Sequence, residues 1–138
     1  MTKKFKTLLE KFRKLNLPDK KYAIYGSGPL AVREIRKAKD LDIVVSNDLY
    51  EKLKEKYLTD PKKWRRIKIG EIEIYPSWAW EPKIKELEKI IKRAELIEGL
   101  RFVRLDDLIK WKKKMGRSKD LKDINLVKEY LENKKSKN

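Results

Sequence analysis

Residues 25–45 read YGSGPLAVREIRKAKDLDIVV. Two glycines enclose Ser27, a proline follows where the first turn of a helix tolerates it, and the stretch closes on an apolar run carrying Asp40 and Asp42 one position apart. In an extended strand residues i and i+2 share a side, so Asp40 and Asp42 project together while Leu41 and Ile43 face the other way. Two carboxylates held side by side repel unless a cation or proton lies between them. Hard oxygen ligands suit Mg²⁺ (or Mn²⁺), which takes a few carboxylates and completes its shell with water and substrate phosphates. The turn supplies the complementary half. Gly26 and Gly28 let backbone N–H groups approach an anion, Ser27 adds a hydroxyl, and a helix starting near Pro29 points its positive end at the same place. Phosphate beside metal is what phosphoryl transfer needs. Singly, such a turn is usually a strand-to-helix connection and such an aspartate pair is usually solvated charge; their combination across one helix is the specific signal.

Working outward, residues 22–25 read as a short buried strand, 29–38 as the helix, 41–45 as a second strand and 48–58 as a further helix. Ile67, Ile69, Ile72 and Ile74 flank Gly70, which predicts a tight hairpin within WRRIKIGEIEIY. Before this block, Phe5, Leu8, Leu9, Phe12 and Leu15 recur at helical spacing up to Asn16 and Pro18. That ordinary apolar stripe fits a helix packed on the core better than one lying on a membrane surface. After it, Ile84, Leu87, Ile90, Ile91 and Ala94 form one helical stripe stopped by Gly99, and Phe102–Val103 a brief extended piece. Residues 106–115 and 119–132 follow as two helices separated by Gly116. The expectation is a single domain over 1–134 with a frayed basic tail at 135–138.

The chain has 138 residues, enough for one core, and carries 38 Lys+Arg against 22 Asp+Glu for a formal charge of +16. A Lys/Glu-rich surface of the heat-adapted kind, in keeping with the absence of cysteine and glutamine, accounts for many charges but not for their positive excess. A polyanionic partner accounts for the excess. With no histidine and no cysteine there is no histidine base, triad, thiolate metal site or disulfide, so any chemistry rests on carboxylates, lysine, hydroxyls and hard metals. The lysine-interrupted amino terminus is not a signal h-region and no apolar run spans a bilayer, so the expected setting is cytoplasmic, with no membrane partner.

Tyr25-Gly26-Ser27 followed by Asp40-Leu41-Asp42 resembles the signature of the DNA polymerase beta superfamily of nucleotidyltransferases: a strand, Gly-Ser, a helix, Asp-x-Asp on the next strand, and a later acid on a neighbouring strand. The resemblance implies an α/β (α+β) fold in which a small mixed sheet is flanked by helices, with a helical carboxy-terminal part. It also implies that Asp40, Asp42 and a third acid hold Mg²⁺ or Mn²⁺. Glu73 is the match for that third acid, with Glu71 as its same-face rival, where the superfamily commonly has aspartate.

Residues 105–127 resemble the downstream motif of the small nucleotidyltransferases of abortive-infection and toxin-antitoxin systems, with Lys112, Arg117, Asp120, Asp123 and Ile124 on its positions. The resemblance associates the lysine with nucleotide phosphates and the later aspartate with the active centre. From the residues themselves, Lys112 interrupts the stripe of Leu105, Leu108, Ile109 and Met115, and Asp120 shares a face with Ile124, Val127 and Leu131. Charge on a core-facing side signals either a buried salt bridge of Lys112 or Arg117 with Asp120, or a cleft opening there. The phosphate-binding cation that the first motif demands favours the cleft.

The expected activity is transfer of a nucleoside monophosphate from a nucleoside triphosphate (NTP) to a hydroxyl acceptor. Gly26, Ser27, Lys112, Arg117 and Asp120 would bind the nucleotide, Asp40, Asp42 and Glu73 the metal, and Glu73 would serve as base. The charge points to RNA, tRNA ends included, as acceptor; a protein hydroxyl also lies within the resemblance. The competing classes are a catalytically inactive nucleic-acid-binding protein of the same fold and a subunit held by a partner protein chain. Lys113 and Lys114 read as solvated or nucleic-acid-facing, and Trp78 and Trp80 as core cover or base-stacking groups.

Overall fold

The computed structural model describes residues 1–58, 65–77 and 84–136. Along the chain run α1 (Lys3–Lys14), β1 (Tyr22–Tyr25), α2 (Gly28–Ala31), β2 (Leu41–Val45), α3 (Asn47–Tyr57), β3 (Ile67–Ile69), β4 (Ile72–Pro76), α4 (Ile84–Lys92), β5 (Glu95–Ile97), β6 (Leu100–Phe102), α5 (Leu105–Met115) and α6 (Ser118–Ser136). The strands form one mixed sheet in the order β3-β4-β2-β1-β6-β5. β1 runs antiparallel to β2 and parallel to β6, β2 runs parallel to β4, and the two edges are the antiparallel hairpins β3–β4 and β5–β6. The expected α/β (α+β) class is the observed one.

Strand alternation divides the core in two. Tyr22, Ile24, Leu41, Ile43, Ile72 and Ile74 face one side and pack under α1 and α3 through Phe5, Leu9, Phe12, Leu49 and Tyr50. Each of these fully buried large side chains contributes about 1.5–3 kcal/mol. On the other side Ala23, Tyr25 and Val44 pack under α4, α5 and α6 through Leu87, Ile90, Leu108, Trp111 and Val127. Asp42 and Glu73 belong to this second side by parity, one step along their strands from Ile43 and Ile74. α1 begins on Thr2, whose Oγ1 accepts from the Phe5 amide at 3.1 Å, and α5 stops at Gly116 in the left-handed region (φ 63°).

Three expectations need correction. The helix expected over 29–38 is the single turn α2. Leu30 and Ala31 carbonyls accept from the Ile35 and Glu34 amides, a Schellman closure that puts Glu34 at φ 60° and ends the helix, leaving 32–40 as a loop. β2 spans the expected 41–45, and Asp40 lies in the loop just before it. Gly99 ends no helix: α4 stops at Lys92, and Glu98 and Gly99, both at positive φ (56° and 75°), form the tight turn of the β5–β6 hairpin. Finally, the helix expected over 119–132 is longer, running Ser118–Ser136. Among the described residues no helix is long and apolar enough to cross a membrane.

Candidate active site

β2 is flanked in register by two strands that bring functional groups beside Asp42. Tyr25 of β1 pairs opposite Asp42, and Glu73 of β4 pairs with it on the other side. Asp40, in the loop just before β2, completes a cluster: one carboxylate oxygen each from Asp40, Asp42 and Glu73 lie within 4.8 Å of one another. Of the two rivals for the third acid, Glu73 joins the cluster. Glu71 lies in the turn before β4, exposed, and pairs with Lys4 of α1 at 3.1 Å.

Asp42 is the strained member. Its Oδ1 is buried and accepts no hydrogen bond, and its pKa is pushed up to about 7, first by burial and then by the charges of Asp40 and Glu73. A carboxylate removed from water without a donor is costly, and a cation beside it reverses the cost. The donor set therefore fits a hard divalent ion: three carboxylates, one with an unsatisfied oxygen, opening on a polar cleft. Burial also pushes the Tyr25 hydroxyl well above its ordinary range, reinforced by Asp42, Tyr75 and Glu73, so it stays a neutral phenol at the cluster. The Tyr75 hydroxyl donates to Glu73 Oε2 at 3.4 Å, and Arg66 Nε stands 3.6 Å from Glu73 Oε1.

The turn before α2 has a more limited part than its composition suggests. Gly26, at φ +70°, lies so close to the cluster that a Cβ there would stand 2.8 Å from Asp42 Oδ2. Only glycine meets both conditions. Gly28 is required for packing instead, because a Cβ there would collide with Ile24 Cγ2. Ser27 is half-buried and its hydroxyl does not cap α2. One helical turn has little macrodipole, so the positive helix end expected at this place contributes little.

Lys112, Arg117 and Asp120 lie on α5 and α6 and the short connection between them, where they join an ion-pair network whose lysine and aspartates are buried and whose arginines reach the surface. Lys112 Nζ is 2.9 Å from Asp123 Oδ2 and 3.6 Å from Asp120 Oδ1. Arg117 grips Asp120 through Nε at 2.6 Å and Nη2 at 3.2 Å, and Arg36 grips Asp123 through Nε at 2.7 Å and Nη2 at 2.9 Å. Burial raises both aspartates. Hydrogen bonds from Arg117 onto Asp120, and from Arg36 and Lys112 onto Asp123, outweigh it and hold both below the ordinary carboxylate range. Both alternatives read from the sequence therefore hold: the salt bridge exists, and it forms the wall of a cleft. Lys112 shares its two carboxylates with Arg117 and Arg36, so three cations face two acids and the wall keeps one net positive charge.

The cleft has a volume of about 760 Å³ and is lined by all eight residues expected to bind metal or nucleotide. Exposed Lys37, Lys39, Arg66 and Lys119 add an unexpected basic rim facing the acids. Arg66 was legible from hairpin register, since Ile67 pairs with Ile74 and so sets Arg66 beside Tyr75. Arg36 carried no signal, because its position depends on the loop that replaces the expected helix. Trp78 and Trp80 lie outside the described residues. No protein family, curated protein or solved structure matches the chain.

Proposed function

We propose that the protein is a nucleotidyltransferase that moves a nucleoside monophosphate from an NTP to a hydroxyl on RNA, the ends of tRNA among the acceptors. The observation that carries this reading is the clustered trio of Asp40, Asp42 and Glu73, with the buried Asp42 Oδ1, which accepts no hydrogen bond, among them. The likeness of Tyr25-Gly26-Ser27 and Asp40-Leu41-Asp42 to the polymerase beta signature supports it. Asp40, Asp42 and Glu73 would hold Mg²⁺ or Mn²⁺, which when bound supplies Lewis-acid stabilisation of charge on the reacting phosphate.

The chain's own residues do the rest. Gly26 leaves room for backbone and phosphate beside Asp42, and Ser27 offers a hydroxyl there. Arg66, Lys37, Lys39 and Lys119 neutralise the triphosphate from the rim. Lys112, Arg117, Asp120 and Asp123 hold α5 and α6 as a rigid wall against the loop that carries Asp40. The acceptor oxygen attacks the α-phosphorus in line as the bond to the bridging oxygen breaks; pyrophosphate leaves, and the hydroxyl proton passes to a cluster carboxylate, assigned to Glu73.

A second reading, an RNA-binding protein of this fold without the reaction, is favoured by one contact: Arg66 beside Glu73 already gives that carboxylate a counter-charge. Incubation of α-labelled NTPs with RNA and Mg²⁺ or Mn²⁺ separates the two. Label entering RNA with the intact protein and not with Asp42→Asn supports transfer; no label with any nucleotide or metal supports the second reading.

A further inference from the structure

A second cavity of about 490 Å³ opens between α4 and α5, on the same side of the sheet as the cleft. Trp111 lines both cavities. Ile90 and Trp111 give the groove an apolar floor. Its two carboxylates are already answered: Arg93 Nε donates to Asp107 Oδ2 at 2.8 Å, and Lys114 pairs with Glu86 at 4.0 Å. Lys89, Lys110 and Lys113 remain on the rim, exposed and without an ion-pair partner among the described residues. A surface with matched acids and three unmatched lysines carries local positive charge beyond what folding uses.

We infer that this groove is the track for a single-stranded segment of the RNA acceptor, its phosphates on the lysine rim, delivering the strand past Trp111 to the acidic cluster. The inference rests on the reading of the cleft as a site of nucleotidyl transfer to RNA. A single strand is favoured over a duplex because an apolar floor is of use only to an exposed base face, whereas a duplex presents phosphate and sugar. It is favoured over an acidic protein surface because the groove shares Trp111 with the cleft that, on that reading, takes polyphosphate.

The test is fluorescence anisotropy of an end-labelled single-stranded oligoribonucleotide, in EDTA and across a salt series, with intact protein and two charge-matched variants. One carries Lys89→Glu, Lys110→Glu and Lys113→Glu; the other carries Lys3→Glu, Lys11→Glu and Lys14→Glu on α1, on the opposite face of the sheet. All six positions are exposed, so both variants are expected to fold. The groove variant should bind at least about tenfold more weakly and lose about 2 from the slope of log K against log salt, as three phosphate contacts at about 0.7 each require. The α1 variant should lose far less. Equal losses in the two variants, equal groove dependence with a matching duplex, or competition by polyglutamate as strong as by RNA would each overturn the assignment.

Label transfer then distinguishes this failure from failure of the cleft reading. RNA binding that depends on the groove while no NTP label is ever transferred sustains the groove and removes the reaction. Transfer at undiminished kcat/KM for RNA in the groove variant sustains the reaction and removes the groove.

Discussion

Replacing Asp42 by asparagine should make the metal-free protein more stable. The Asp42 carboxyl is displaced from 3.8 to about 7, by burial first and then by Asp40 and Glu73. Because its folded-state value is raised, the folded chain binds this proton more tightly than the unfolded chain. Stability is therefore complete below the unfolded value of 3.8 and is lost as pH rises through about 7. At about 1.36 kcal/mol per pH unit the full displacement corresponds to about 4 kcal/mol. Solvent reaching the cleft reduces this to about 2 kcal/mol. The asparagine side chain keeps the shape, carries no charge, and can donate from its amide nitrogen to Asp40 or Glu73. For a chain of this size the expected gain is a rise of about 5–10 °C in Tm near pH 8 in EDTA, shrinking towards zero near pH 4. The assay is thermal unfolding by circular dichroism across pH, with and without Mg²⁺. Saturating Mg²⁺ should raise the Tm of the intact protein, by about 2.7 kcal/mol of stability at a hundred times Kd, and leave the variant nearly unmoved. An Asp42→Asn variant no more stable than the parent in EDTA at pH 8, or stabilised by Mg²⁺ to the same extent, would refute the reasoning.

The buried network gives an asymmetric pair of substitutions. Asp123→Asn leaves Lys112 with one carboxylate at 3.6 Å and Arg36 with none, and should cost about 3 kcal/mol in urea unfolding. Lys112→Met leaves both aspartates with their arginines and should cost at most about half as much; a larger loss for Lys112→Met would contradict the network as described. Because Asp120 and Asp123 are held below their ordinary values, their contribution should be present above about pH 4 and decline as pH falls below that, in the opposite sense to Asp42. Gly26→Ala should cost about 1–2 kcal/mol and remove label transfer, since its Cβ meets both a left-handed backbone and Asp42 Oδ2. A stable, fully active Gly26→Ala variant would show that the close approach is not needed.

The elements around Asp42 were legible because two strong signals coincide there. The alternation of Asp40-Leu41-Asp42-Ile43 fixes which face the acids take, and the Ile-x-Ile-Gly-Glu-Ile-x-Ile pattern fixes the hairpin that brings up Glu73. The β5–β6 hairpin was missed because its turn is Glu98-Gly99, where the asparagine or aspartate that usually precedes glycine would have announced it. The short α2 was hidden for a related reason: Glu34 occupies a left-handed position that glycine normally marks. Asp123 fell on the downstream motif, yet its bond to Arg36 bridges 87 residues, and no local pattern encodes a contact that depends on how a loop lies against α6.

Titration of the protein with Mn²⁺, followed by loss of the free-ion electron paramagnetic resonance signal, bears most directly on the acidic cluster. Saturable binding at the intact cluster, displaced by Mg²⁺, strengthened by an NTP and abolished by Asp42→Asn, is the expected result. Binding that is absent, or that persists unchanged in the Asp42→Asn variant, would contradict a metal centre at Asp40, Asp42 and Glu73.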